Sequence, residues 1–176
     1  QGGAGLGITE AALMMRAISA SGAGMSGASS VHMNIFGLNP VVVFGTEEQR
    51  QRFLPPLIAG TEKACFAVTE PDAGLDTTSL KTQAVRQPDG GYLLHGRKIW
   101  ISTAQVADRM LILTRTTPLD QVKKPTQGLT LFYTALDRSK VEVREIHKLG
   151  RAAVDSNMLF IDGLAVPEED RIGEEG

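Results

Sequence analysis

A single cysteine, Cys65, stands among the 176 residues, so no internal disulfide can form. Histidine is as scarce: His32, His95 and His147 lie far apart with no metal-ligand spacing, and metal chemistry is not expected. No apolar run approaches the ~20 residues that a membrane-spanning helix needs, since Val41-Val42-Val43-Phe44 is closed at once by Gly45 and Thr46. Neither sign of charge dominates. Lys and Arg number 18 against 20 Asp and Glu, a net charge of -2, which argues against a nucleic-acid partner held by charge alone. Aromatic residues make up only 5%, with one tryptophan, Trp100. There is no initiator methionine and no basic segment followed by an apolar one, so no secretory signal is visible. Both ends read as cut from a longer polypeptide, whose targeting peptide, if it had one, would lie outside this sequence.

What remains is the composition of a folded protein with a real core, 42% hydrophobic and 22% charged, as one large domain or two small ones. The first part carries helix signals. Thr9 is a suitable N-cap for a helix through Ile18, and Leu13, Met14, Ala17 and Ile18 recur at helical spacing, which predicts one buried face. The small residues Ser21 to Ser30 read as a turn into a second helix carrying Val31, Met33, Ile35, Phe36 and Leu38, where His32 fits a structural role better than a catalytic one. Asn39-Pro40 breaks and restarts the helix, and Thr46 caps another that begins Glu47-Glu48 and closes at Ala59-Gly60. Gly3-x-Gly5-x-Gly7 is close to a dinucleotide-binding fingerprint but has the wrong spacing.

From Glu62 the period changes to two. Strands are predicted over Cys65–Thr69, Lys81–Arg86, Tyr92–Ser102, Arg109–Thr116, Leu129–Ala135, Val141–Ile146 and Asn157–Val166, with Asp89-Gly90-Gly91 as a hairpin turn. Helices over 1–60 followed by strands over 61–176 make the fold class α+β, a helical segment followed by an antiparallel β-barrel or sandwich.

Two stretches suggest a ligand. Cys65 to Asp76 reads C-F-A-V-T-E-P-D-A-G-L-D: an apolar run ends in the hydroxyl of Thr69, breaks at Glu70-Pro71 and opens into a small, flexible loop. Such a loop can turn backbone N–H groups toward an acidic group, although an ordinary strand followed by a proline-initiated turn explains it as well. Gly96 to Thr103 reads G-R-K-I-W-I-S-T, and a period of two places Trp100 and Ser102 on one face, where an indole and a hydroxyl could line a planar ligand. A core tryptophan beside a solvated serine is the simpler alternative.

Together the two stretches resemble the acyl-CoA dehydrogenase family. Phe44-Gly45-Thr46-Glu47-Glu48-Gln49 with Phe53-Leu54-Pro55, Lys148-Leu149-Gly150-Arg151, Val166-Pro167 and Gly173-Glu174-Glu175-Gly176 resemble further landmarks of that family in their usual order. The resemblance implies the end of an N-terminal helical domain, 1–60, and a middle β-domain, 61–176. It implies FAD, with Phe66, Val68, Thr69, Gly74, Leu75, Trp100, Ile101 and Ser102 as cofactor-binding residues. Thr69 would bond the pyrimidine end of the flavin, Trp100 would lie against the ring away from substrate, and Ser102, where threonine is more usual, would bond near N5. Leu75 stands where the family has a serine that helps hold cofactor phosphate or thioester, so a contact to substrate at this position would be backbone only.

The implied reaction is α,β-dehydrogenation of an acyl-CoA thioester, with hydride transfer to flavin and electron-transferring flavoprotein as acceptor. The family's catalytic glutamate belongs to a C-terminal helical domain, and Glu70, Glu174 and Glu175 do not match it. This chain alone is therefore expected to be inactive, with half a flavin site that binds FAD weakly or not at all. The full-length protein would be a homo-oligomer, cytoplasmic in a bacterium or mitochondrial in a eukaryote. An acyl-CoA oxidase or flavin monooxygenase of the same architecture, or a non-catalytic assembly module, are the competing readings. Lys123 and Lys124 could meet coenzyme A phosphates, but a solvated pair on a loop accounts for them, and structure ranks first for Lys148-Leu149-Gly150-Arg151.

Overall fold

The computed structural model describes residues 2–88 and 90–176, and for residues 33–36 the backbone alone. Four helices lead: α1 (Ile8–Ile18), α2 (Gly24–Phe36), α3 (Asn39–Phe44) and α4 (Glu47–Ile58). The cap of α1 is Gly7, whose N–H donates to Glu10 Oε2 at 2.9 Å, and Thr9 lies inside the helix. The expected buried face of α1 is not buried, for Leu13 is 56% and Met14 43% exposed. Gly22, at φ 98°, makes the kink into α2, which begins earlier than the small-residue stretch suggested. Met33, Ile35 and Phe36 lie outside the described side chains.

The later helices follow the sequence closely. Pro40 sits in the first turn of α3, and Thr46 caps α4 with a reciprocal pair in which Gln49 N donates to Thr46 Oγ1 at 3.1 Å and Thr46 N to Gln49 Oε1 at 2.9 Å. Gln49 then reaches across the fold, its Nε2 donating to the carbonyls of Glu169 and Arg171. Leu38, Val41, Phe53 and Leu54 bury against Leu111, Tyr133 and Ile172, so α3 and α4 share a core with the sheet. The Phe53 and Tyr133 rings meet edge-on, 4.8 Å between centroids.

All seven predicted strands form: β1 (Ala64–Ala67), β2 (Gln83–Arg86), β3 (Tyr92–Ser102), β4 (Arg109–Arg115), β5 (Leu129–Ala135), β6 (Val141–Glu145) and β7 (Ser156–Val166). A two-residue β8, Arg171–Ile172, is added. Of the hairpin turn between β2 and β3, Asp89 lies outside the described residues, while Gln87 N donates to Gly91 O at 2.8 Å. The sheet is mixed and open, in the order β6-β7-β3-β2-β4-β5-β8, with β1 parallel to β4. It is therefore neither purely antiparallel nor a closed barrel. The reason lies between β3 and β4, where two short strands share one position. β1 fills one end, pairing Ala64–Ala67 with Arg109–Ile112, and β2 fills the other, pairing with β3 and touching β4 at Gln83 and Arg115. The second core cluster, with Tyr92, Leu94, Ile101, Met110, Phe132 and Leu159, lies within the sheet's curve.

Candidate functional site

The chain leaving β1 crosses from β4 toward β3, and Ile99 N donates to Thr69 O at 2.9 Å. That bond sets Thr69 beside the segment that carries Trp100. After Thr69 a tight turn over Glu70-Pro71-Asp72-Ala73 is closed by reciprocal bonds, Glu70 N to Ala73 O and Ala73 N to Glu70 O, each 3.2 Å. The loop then folds back, since a Cβ built on Gly74 would lie 4.0 Å from Thr69 Cγ2.

On β3 the strict alternation expected for Ile99 to Ser102 is broken. The register with β7 slips by one residue between Lys98 and Ile101, a β-bulge, and Trp100 adopts φ 62°. Bulges re-aim side chains, and this one turns the indole outward: Trp100 is 57% exposed, while Ile101 beside it is in the core. Ile101 can thus offer a ligand only its backbone, and its carbonyl already accepts from Asn157 Nδ2 at 2.8 Å. Ser102 is half-buried and closes β3. Among the described residues neither the Thr69 nor the Ser102 hydroxyl has a hydrogen-bond partner, so both remain able to bond a ligand.

The other expected residues fall in less telling places. Phe66 and Val68 are half-buried, Phe66 against the core under α3 and α4. Leu75 stands fully in solvent. A hollow of about 290 Å³ opens just past β3, lined by Ser30, Leu57, Glu62, Thr103, Val154 and Asp155 among others. Thr69, Trp100 and Ser102 do not line it; Thr69 and Ser102 are half-buried and Trp100 is exposed, at the edge of the crossing from β1 to β3. The acids Glu70 and Glu175 are both engaged, Glu70 by Lys98 and Glu175 by Arg86 and Tyr92. Lys123 and Lys124 are exposed on their loop, and Lys148 is turned onto its own turn, donating to the carbonyls of Arg151 and Val154.

What the sequence reading missed is Lys98. It falls in phase with Tyr92 and Leu94, the inward residues of β3, and that placement of a charge was the available signal. Burial works hardest on the Glu70 carboxyl and would raise its pKa, but the Lys98 ammonium and the N–H groups of Thr82 and Lys81 outweigh it and hold the group below the usual carboxylate range. Burial likewise lowers the Lys98 pKa, and Glu70 offsets only part of that.

Helices packed on a mixed, open sheet, with an exposed indole at a bulge of β3, define the architecture of this chain. Residues 65–164 match the acyl-CoA dehydrogenase middle domain and residues 1–61 the N-terminal domain. The chain belongs to the acyl-CoA dehydrogenase family. It is 35% identical to an acyl-CoA dehydrogenase of Bacillus subtilis over 99% of this chain and 45% of that protein. It is also 35% identical to the caffeyl-CoA reductase-Etf complex subunit CarC of Acetobacterium woodii, over 85% of this chain and 39% of that one. A Bacillus anthracis acyl-CoA dehydrogenase complexed with FAD superposes at a TM-score of 0.85 with 30% identity, covering 99% of this chain and 29% of the other. The chain thus spans less than half the length of these relatives. No helix among the described residues is long and apolar enough to cross a membrane, and no metal-binding cluster occurs among them.

Proposed function

We propose that this chain forms the N-terminal and middle parts of an FAD-dependent enzyme that removes two hydrogens from an acyl-CoA thioester to give the enoyl thioester. The observation that carries the reading is the bond from Ile99 N to Thr69 O, which brings Thr69 to the segment of the exposed Trp100 and of Ser102, while the Thr69 and Ser102 hydroxyls make no hydrogen bond within the described residues. When bound, the flavin supplies the redox chemistry, accepting the hydride from the substrate β-carbon. The chain's own residues bind and orient. Trp100 covers one face of the ring system by apolar contact and keeps water from it. Thr69 and Ser102 each offer a hydroxyl that donates or accepts at the rim, and the loop over Asp72 to Asp76 presents backbone N–H groups toward phosphate. No residue of this chain is assigned as the base. At Leu75, whose side chain stands in solvent, a contact would be made by the backbone alone.

The whole protein is proposed to pass electrons to an electron-transferring flavoprotein, a reading supported by the likeness to a subunit of an Etf complex, and to assemble as a homo-oligomer. In the chain alone the flavin site is one-sided, so binding is weak. The test is a titration with FAD that follows the single indole resonance of Trp100. In the full-length protein a saturable shift with FAD is expected, and no shift there would overturn the reading, whereas this chain alone is expected to shift weakly or not at all.

A further inference from the structure

Behind the exposed indole lies a charge that does not reach the surface. Lys98 precedes Trp100 by two residues and is wholly buried. Its ammonium directs its three hydrogens to Val68 O at 3.0 Å, Glu70 Oε1 at 2.9 Å and Leu113 O at 2.7 Å. The Glu70 carboxylate accepts in addition from Lys81 N at 2.6 Å and Thr82 N at 3.0 Å. Two side chains thereby tie the end of β1, the middle of β3, β4 and the approach to β2, which is the gap where β1 and β2 exchange places. An ion pair taken out of water is a poor source of net stability, because desolvation offsets most of the attraction. Its place in the fold points to another role.

The bulge that turns Trp100 outward begins at Lys98 and ends at Ile101, where Asn157, fully buried, holds the Ile101 carbonyl. Between those fixed points Trp100 takes a left-handed backbone, uncommon for a bulky residue and kept only where the surroundings over-determine it. The Lys98 ammonium also fixes the Val68 carbonyl, one residue before Thr69, so the same group sets both strands of the edge.

We propose that the buried Glu70–Lys98 pair is a positioning device that locks the crossing of β1 and β3, keeping Trp100 left-handed and its segment against Thr69. Its importance for function rests on the flavin-site reading above, while the device itself is open to test without any ligand. Neutralising both partners, Glu70→Gln with Lys98→Met, removes the ammonium without leaving a lone buried charge. Trp100 is the only tryptophan, so its indole N–H resonance and near-ultraviolet dichroism report this residue alone. In the double variant, with far-ultraviolet dichroism retained, the indole resonance is expected to move or split and the tryptophan dichroic band to fall by at least half. A folded double variant with both signals unchanged would overturn the proposal.

Should that variant not fold, the wild-type chain decides. A locked Lys98 ammonium is expected to exchange its hydrogens at least tenfold more slowly than the exposed lysines, and exchange as fast as theirs refutes the lock. If the indole signals change as expected while FAD shifts nothing in the full-length protein, the device stands and the flavin reading falls.

Discussion

Gly96 on β3 passes so near the chain at Thr82 that a Cβ built on it would stand 2.4 Å from Thr82 Oγ1 and 2.7 Å from Thr82 Cα. Backbone atoms cannot yield as the tip of a flexible side chain can. Thr82 is pinned besides, its N–H on Glu70 and its carbonyl accepting from Arg115 N at 2.8 Å. Gly96→Ala should therefore cost about 1–3 kcal/mol, the usual penalty of overpacking a filled site. Urea unfolding read by dichroism measures it, and a loss under about 0.5 kcal/mol would mean that the two strands can part freely.

The Glu70–Lys98 pair makes stability depend on pH in one direction. Folding holds the Glu70 pKa below its unfolded value of about 4.3, so between the two values the unfolded chain binds more protons. The contribution is complete above that unfolded value and is lost as pH falls through the folded one. Relative to Glu70→Gln/Lys98→Met, the wild type should lose stability on acidification below about pH 5, and a constant difference from pH 7 to 3 would contradict this. Lys98→Met alone leaves Glu70 buried beside no cation and should cost about 3–5 kcal/mol at pH 7.

Most of the fold could be read from the sequence, because Thr46 with Gln49, Asn39-Pro40 and the alternating runs each act locally. The sheet's connectivity could not. Whether a strand of four residues pairs parallel with β4 or antiparallel with β3 is settled by its neighbours, and here β1 and β2 divide one position. Ile101 was expected at the site and its side chain lies in the core, because a bulge, which alternation does not foresee, re-phases β3 just before it. Glu70 was weighed only as an acid that fails to match a catalytic position. Its partner 28 residues away makes it structural.

Cys65 is inert by the same logic of burial. It lies within β1 in the core, and removal from water pushes its thiol up to about 12. Thiol reagents at pH 8 should leave it unmodified in the native chain and label it fully in denaturant. Rapid labelling without denaturant would show that β1 opens, and that the crossing behind Thr69 is looser than its hydrogen bonds imply.

The two hydroxyls at the edge separate binding from folding. Neither the Thr69 nor the Ser102 hydroxyl makes a hydrogen bond within the described residues, so Thr69→Val and Ser102→Ala should each leave stability within about 0.5 kcal/mol of the wild type. Each should nonetheless weaken FAD binding by about 1 kcal/mol, roughly fivefold, the ordinary worth of one hydrogen bond. Trp100→Ala should lose more than either, since the ring contact goes with it, while the left-handed backbone strain, which comes from Cβ, stays. Thermal unfolding and FAD titration on the same three variants give both quantities. Variants that lost stability while keeping affinity would make the hydroxyls packing groups, and the edge would then be a surface that happens to carry an indole.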